Sequence, residues 1–249
     1  FQNGKHVLCE KPMALNAREG RRMLDAAGKA GKVLQMGMMK RQTGSGQVLK
    51  DYIKKGYLGD IYHMRMVLRR RRGIPGLGRW FTTKSVAGGG AMIDIGVHFL
   101  DLVMWLTESW NAVRASAVTY AAFGARMRDY VYLGMWAGPP DYEGVFDVDD
   151  YASGLIRFAN DTTLSVEISW AQNAPEENFI ELLGDKGGAR LSGKQLDIMT
   201  EQEGRLVDIR PYCPEGNPYV TQTQKFADAI LGRGEVPATG EQGVAVMQV

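Results

Sequence analysis

The pattern of apolar and polar positions divides the chain into two unlike parts, and the first part is short. Residues 5–9 and 33–38 are apolar runs typical of buried strands. Between them, Asn16 stands three residues before Glu19, a pair typical of a helix N-terminus, and Gly31 is a candidate C-cap. A strand, a helix and a strand so close together predict a βαβ unit whose two strands are parallel.

The second part alternates with a period of two over much of its length. Helices are expected at about 45–55, 90–106 and 219–231, with a strand at about 60–69 and a long loop at 70–89. Strand-like runs then follow one another closely at about 112–120, 151–159, 162–170, 178–184, 189–191, 196–200 and 205–209. Turn residues join most of them, which predicts a large, mostly antiparallel open sheet with helices on one face. The predicted fold class is therefore the C-terminal remnant of an α/β domain, residues 1–42, followed by an α+β domain, residues 43–249.

Composition narrows the function classes. Hydrophobic residues make up 45% of the chain and the formal net charge is only +2, so no nucleic-acid or membrane partner is expected. No run of about 18 apolar residues occurs, so we expect no membrane span. Cys9 and Cys213 form no disulfide framework, which favours a reducing, cytoplasmic compartment. Four arginines at 69–72 are either a phosphate or nucleic-acid contact or, as we favour, a solvated loop entrance or a source of intersubunit ion pairs.

Three polar residues interrupt the otherwise apolar helix expected at 90–106. Asp94, His98 and Asp101 are spaced by four and three residues, which places them on one stripe of an α-helix. A buried carboxylate needs a partner, and an aspartate one turn from a histidine can orient it as a general base. The alternatives are that Asp94 and His98 satisfy each other in the core, or that Asp94 complements the helix dipole. No third ligand is evident, so we predict no metal site.

Two further features point to a small-molecule site. Glu10-Lys11-Pro12 follows the first strand, and the carboxyl end of a parallel strand is where open α/β sheets bind ligands. Trp80, in the loop before three glycines, either stacks on a sugar or, slightly favoured, packs in the core.

Together these motifs resemble the Gfo/Idh/MocA oxidoreductase family. The resemblance rests on Glu-Lys-Pro after an apolar strand and on Gly-Gly-Gly-x-x-x-Asp-x-Gly-x-His-x-x-Asp at residues 88–101. It continues through residues 35–41, 58–61, 149–170 and 180–187 and so covers essentially the whole chain.

The resemblance implies a Rossmann domain followed by a domain on a large open sheet, and a hydride transfer between NAD or NADP and a secondary alcohol or ketone of a sugar, inositol or related polyol. Lys11 is expected to contact substrate and the nicotinamide end of the cofactor, with Asp94 and His98 on the reacting hydroxyl and His98 as the proton acceptor. Asp101 is a further candidate for substrate binding, as is Trp80. Glu10 and Arg41 are candidates for cofactor binding.

No Gly-x-Gly-x-x-Gly turn occurs in the chain, which is a departure from the family pattern. Both ends look cut, so we expect about 90 preceding residues that carry this turn, and an inactive fragment without them. The substrate and the choice between NAD and NADP stay open. Two alternatives also stay open: a sugar- or cofactor-sensing regulator without catalysis, and a scaffold or dimerisation module. A homodimer or homotetramer through the open sheet is expected.

Overall fold

The first part of the chain folds as the predicted βαβ unit in a computed structural model that describes all 249 residues. Strand β1 (Val7–Cys9) pairs in parallel with β2 (Leu34–Met36), and helix α1 (Ala17–Ala30) connects them. The Asn16 side chain accepts a hydrogen bond from the Glu19 main-chain N–H, and Gly31 ends the helix in the left-handed conformation. Both predicted caps are therefore confirmed.

The second part consists of one large sheet and five helices. Its helices are α2 (Gly44–Lys54), α3 (Lys84–Ala87), α4 (Val97–Thr107), α5 (Pro218–Ile230) and α6 (Gly240–Gln248). Of these helices, α2 and α4 pack on the sheet. Its strands are β3 (Ile61–Arg69), β4 (Ala112–Tyr120), β5 (Tyr151–Phe158), β6 (Thr163–Ser169), β7 (Glu177–Gly184), β8 (Gly187–Ser192), β9 (Gln195–Gln202) and β10 (Arg205–Ile209).

The eight strands lie in the order β10-β9-β8-β7-β3-β6-β5-β4. Every neighbouring pair is antiparallel except β3 and β6, which are parallel in the register Arg69 to Ser169. The predicted mostly antiparallel sheet is confirmed. The exception matters for the site, because it brings the carboxyl ends of β3 and β6 side by side.

The two faces of the sheet differ in chemistry. The face under the helices is apolar and fully buried, with Met64, Met66 and Ile168 among its side chains. The opposite face carries ion pairs between strands, among them Arg65 with Glu181 and Arg190 with Glu181. Successive side chains of a strand point to opposite faces, so the period-two pattern of the sequence produces this division directly.

The helix predicted at 90–106 is interrupted. Residues Met92–Gly96 form a turn of π-helix, closed by a bond from the Val97 N–H to the Met92 carbonyl, before α4 begins. Gly90 explains how the chain enters this turn: a Cβ there would lie 1.8 Å from the Asp149 carbonyl oxygen, so only glycine fits. By length and composition the stretch Lys84–Thr107 could cross a membrane, but 61% of its most apolar window is buried inside the fold, as in a core helix.

The C-terminal segment returns to the first part of the chain. Helix α6 packs on α1 and β2, and Gln35 and Thr239 form an isolated bridge. Arg41 donates hydrogen bonds to the Pro237 carbonyl at 2.8 Å and to Gln242 Oε1 at 2.6 Å. These contacts anchor the C-terminal segment beside the βαβ unit.

Candidate active site

Lys11 lies two residues after β1 and is held there by Asp94. Its Nζ donates to the main-chain oxygen of Asp94 at 2.6 Å and to Asp94 Oδ1 at 3.0 Å. The lysine side chain is 17% exposed and the aspartate side chain 9%, so the ion pair is largely removed from bulk water. A cation is therefore fixed at the position where an open α/β sheet binds its ligand.

The second carboxylate oxygen of Asp94 forms a hydrogen bond with a residue at the end of the large sheet. Oδ2 accepts a hydrogen bond from Trp170 Nε1 at 3.0 Å, and Trp170 is fully buried directly after β6. Both oxygens of Asp94 thus have partners, which satisfies the requirement for a buried carboxylate. Asp94 joins the end of β1 to the end of β6.

His98 contacts neither of these groups through a hydrogen bond. Its Nδ1 is buried without a partner, which leaves Nε2 as the nitrogen that is open to the site. Burial, together with the positive charges of Lys11 and Lys40, lowers the pKa of His98 from 6.5 to about 4, and the opposing effect of Asp94 is smaller. The imidazole is therefore neutral near pH 7 and able to accept a proton.

The expectation that Asp94 orients His98 is wrong. In an α-helix residues four apart lie one above the other, but the π-turn closes i to i+5 bonds and rotates successive side chains differently. Asp94 consequently faces Lys11 and Trp170, while His98 turns its accessible nitrogen to the cavity beside them.

The π-turn is held at its start by Asp149. Its carboxylate accepts hydrogen bonds from the Gly90 N–H at 2.9 Å and the Met92 N–H at 3.3 Å, and its main-chain oxygen accepts one from the Ala91 N–H at 3.0 Å. A carboxylate at this end of a helix is favoured by the helix dipole. Asp149 therefore fixes the segment that carries Asp94 and His98.

Lys11, Asp94 and His98 line one cavity of about 400 Å³. Aromatic side chains form part of its wall, with the Phe81 ring lying edge-on to Trp80 at 4.8 Å and to Trp136 at 4.9 Å between ring centroids. Trp80 is 51% exposed, so the core-packing interpretation that we slightly favoured for it is wrong. Charged groups beside an aromatic wall fit a sugar, which presents hydroxyls at its edge and C–H groups on its faces.

A second cavity of about 710 Å³ adjoins the first and shares Lys11, Pro12, Trp80 and Ala87 with it. Its lining is mostly apolar and includes Met13, Leu15 and Met23. It lies beside the carboxyl end of β1, where the reactive end of a dinucleotide binds in Rossmann sheets. The residues present therefore fit the nicotinamide end of such a cofactor.

Three other predicted site residues lie elsewhere. Arg41 and Asp101 are buried to 1% and 0% exposure and pair with each other through two hydrogen bonds of 2.5 and 2.8 Å. Asp101 is fully buried against Arg41, so it has no surface open to a substrate, and neither residue lines the cavity. Glu10 is exposed at the end of β1, with its carboxylate packed close to Gly37, and also lies outside the lining.

Sequence reasoning missed three residues of the cavity or its support. Arg70 lines the cavity, although the four arginines were interpreted as a solvated entrance. Trp136 lines it from the excursion at 121–148, in which we recognised no chemistry, and Trp170 bonds Asp94. For Arg70 and Trp170 the missing information was the parallel pairing of β3 and β6, since it places the residues that follow both strands at one edge of the sheet.

Comparison with known proteins agrees with this arrangement. Residues 1–38 match the family described as "Oxidoreductase family, NAD-binding Rossmann fold", and residues 47–190 match the GFO/IDH/MocA C-terminal domain. The chain is 32% identical over 252 residues to D-glucoside 3-dehydrogenase of Escherichia coli (strain K12), with 100% of this chain and 69% of that protein covered. It is 34% identical over 248 residues to levoglucosan dehydrogenase of Pseudarthrobacter phenanthrenivorans, with 93% and 62% covered.

Among solved structures, levoglucosan dehydrogenase in complex with NADH and levoglucosan superposes with a TM-score of 0.80 at 24% identity, over 99% of this chain and 70% of that one. At this identity the likeness concerns the fold. The chain thus spans about two thirds of the length of these relatives.

Proposed function

The chain belongs to the GFO/IDH/MocA oxidoreductase family, and on that premise we propose that the protein transfers a hydride between a nicotinamide cofactor, NAD or NADP, and a secondary alcohol or ketone of a sugar or polyol. One observation carries the proposal: Lys11, Asp94 and His98 meet at a single cavity beside an apolar one that fits a nicotinamide ring. Similar proteins bear the names D-glucoside 3-dehydrogenase, levoglucosan dehydrogenase and scyllo-inositol 2-dehydrogenase (NADP(+)).

When bound, the nicotinamide ring supplies the hydride acceptor or donor. In the oxidation, neutral His98 takes the hydroxyl proton at Nε2, a role for which its low pKa keeps it unprotonated. Lys11 Nζ donates toward the same substrate oxygen and stabilises the negative charge that develops on it. Asp94 acts on Lys11 rather than on His98, because it fixes the ammonium group through two contacts.

The aromatic wall orients the sugar. Trp80 and Trp136 are 51% and 70% exposed beside the cavity and offer flat faces to a ring's C–H groups. Stacking on them limits the ring to few orientations, which is how a site brings one hydroxyl to the base. The excursion at 121–148, which carries Trp136, therefore contributes to the choice of substrate.

A direct assay tests the proposal. The intact protein, with its complete dinucleotide-binding domain, is mixed with NAD or NADP and with glucosides, levoglucosan or scyllo-inositol, and formation of the reduced cofactor is followed by absorbance. We expect turnover of at least one of these polyols and its loss in His98→Asn. Binding of sugar without turnover under any cofactor condition would instead favour a sensing regulator.

Three further features belong to this proposal. We place the domain boundary between 42 and 43. The two family matches support this boundary, since one ends at residue 38 and the other begins at residue 47. We assign the protein to the cytoplasm, since Cys9 and Cys213 are free thiols.

We propose a homodimer or homotetramer that forms through the open sheet face. Val118, Tyr120 and Leu155 are exposed there among charged side chains. Sedimentation at micromolar concentration measures the oligomeric state.

A further inference from the structure

Arg70 is an unpaired basic residue in the lining of the catalytic cavity. It follows β3 directly and lines the cavity with Lys11 and His98. Its neighbours in sequence are engaged: Arg69 pairs with Glu177 and Glu167, and Arg72 bonds Asn173. The Arg70 side chain makes no hydrogen bond or ion pair, and its nitrogens are accessible to solvent rather than buried.

The cavity offers no carboxylate to neutralise this guanidinium. Asp94 is the one acidic residue in the lining, and its two oxygens already accept from Lys11 and Trp170. With a neutral imidazole at 98, the lining carries two cations and one anion. An unpaired cation in a partly enclosed space favours an anionic ligand, since electrostatic attraction is stronger there than in bulk water.

We infer that the sugar oxidised here carries an anionic group, a carboxylate or a phosphate, and that Arg70 binds it and so determines substrate specificity. This inference rests on the proposed function and narrows its substrate class. A guanidinium presents a planar fork of N–H donors that matches the oxygens of either group, and such charge-assisted bonds exceed those to a neutral hydroxyl. Lys11 is held by Asp94 and assigned to the reacting oxygen, so the two cations have separate tasks.

The turn after β3 positions the Arg70 side chain. A Cβ at Gly73 would lie 2.6 Å from Arg70 Cδ and 3.3 Å from the Trp170 carbonyl oxygen, which itself accepts the Gly73 N–H at 2.7 Å. Glycine at 73 thus leaves the space across which the arginine stem lies. Gly73→Ala should displace the guanidinium without removing its charge.

The first experiment measures binding. Fluorescence of Trp80 and Trp136, both in the cavity lining, reports titration with methyl β-D-glucoside, methyl β-D-glucuronide and glucose 6-phosphate. We expect at least one anionic sugar to bind tighter than the neutral glucoside. Arg70→Gln should weaken that binding about 10- to 100-fold, the range for a hydrogen bond between charged groups, and leave the glucoside within about threefold.

Matched variants separate a local effect from a general one. Arg71→Gln removes the same charge one residue away and outside this cavity, so it should not change the preference. Gly73→Ala should reduce the preference in the same direction as Arg70→Gln. The inference is overturned if the neutral glucoside binds as tightly as both anions, if neither anion binds at millimolar concentration, or if Arg70→Gln weakens all ligands equally.

Turnover of the same three sugars with NAD or NADP distinguishes this inference from the proposed function. Anion-selective binding that depends on Arg70 but gives no reduced cofactor retains Arg70 as the residue that binds an anionic sugar and contradicts the dehydrogenase. Turnover confined to neutral sugars retains the dehydrogenase and overturns the inference. A preference for the glucuronide identifies a sugar acid, and a preference for glucose 6-phosphate identifies a sugar phosphate.

Discussion

Lys11 and Asp94 lie 83 positions apart in the sequence and meet through two contacts of 2.6 and 3.0 Å from the lysine Nζ. Lys11 lies two residues after the parallel strand β1, and Asp94 belongs to the π-turn before α4. The pair therefore connects the cofactor side of the cleft to the substrate side. Asp94 therefore forms no hydrogen bond with His98, and burial together with nearby cations lowers the pKa of His98 and keeps it neutral.

Lys11→Met should lower kcat about 10²- to 10³-fold, because a positioned donor to a developing oxyanion contributes on that scale. Steady-state kinetics on a confirmed substrate measures the change. Lys54→Met removes a lysine exposed on α2 and should leave kcat unchanged. Turnover of Lys11→Met within about threefold of the unaltered protein would show that another group holds the reacting oxygen.

His98→Ala should lower kcat about 10²- to 10⁴-fold, the usual contribution of a general base. Arg71→Ala, which lies outside the cavity, should change kcat little. A His98→Ala protein that retains near-normal turnover, with its fold verified by circular dichroism, would assign proton transfer to another residue.

The acid limb of kcat/KM for oxidation should lie near pH 4. Only neutral His98 accepts a proton, and its pKa is lowered to about 4, so activity should stay level down to about pH 5 instead of declining near 6.5. Lys40 is one of the cations that lower this pKa, so Lys40→Met should move the limb to higher pH. If kcat/KM of the unaltered protein instead declined near pH 6.5, the pKa of His98 would not be lowered as the structure indicates.

The same pKa shift makes stability depend on pH. The unfolded chain binds a proton at His98 near pH 6.5 and the folded chain only near pH 4, so the stabilisation is complete above 6.5 and is lost as pH falls toward 4. The loss amounts to about 3 kcal/mol. Urea unfolding at several pH values measures it, and His98→Gln should lack this part of the dependence. If the free energy of unfolding changed with pH equally in both proteins, His98 would not be the source of the effect.

Local signals in the sequence predicted most elements correctly. Asn16 and Gly31 bound α1 as expected, and period-two alternation located the strands of the large sheet, because both depend on neighbouring residues alone. The pairing of β3 with β6 in parallel joins segments about 100 residues apart, and no local pattern encodes it. Arg70 and Trp170 enter the site only through that pairing, so they were missed.

The site was predicted in part for the same reason. Lys11 and His98 share a cavity as their positions at a strand end and on a buried helix indicated. The π-turn changed what Asp94 contacts, since a departure from α-helical spacing depends on Asp149 and Gly90, which meet only in the fold. Arg41 and Asp101 are residue types that often bind ligands, but here they form hydrogen bonds with each other.

The Arg41–Asp101 pair allows a role in stability to be distinguished from a role in substrate or cofactor binding. Arg41 and Asp101 are almost fully buried, and Arg41 also holds the Pro237 carbonyl and Gln242. Asp101→Leu leaves the guanidinium buried without its counter-ion and should lower the free energy of unfolding by about 3–5 kcal/mol, measured by urea denaturation. The double variant Arg41→Met with Asp101→Leu should recover much of that loss, because no unpaired charge remains. If the pair serves only the fold, the double variant keeps the KM for sugar and cofactor within about threefold; a large rise in either KM would return Asp101 to the substrate or Arg41 to the cofactor.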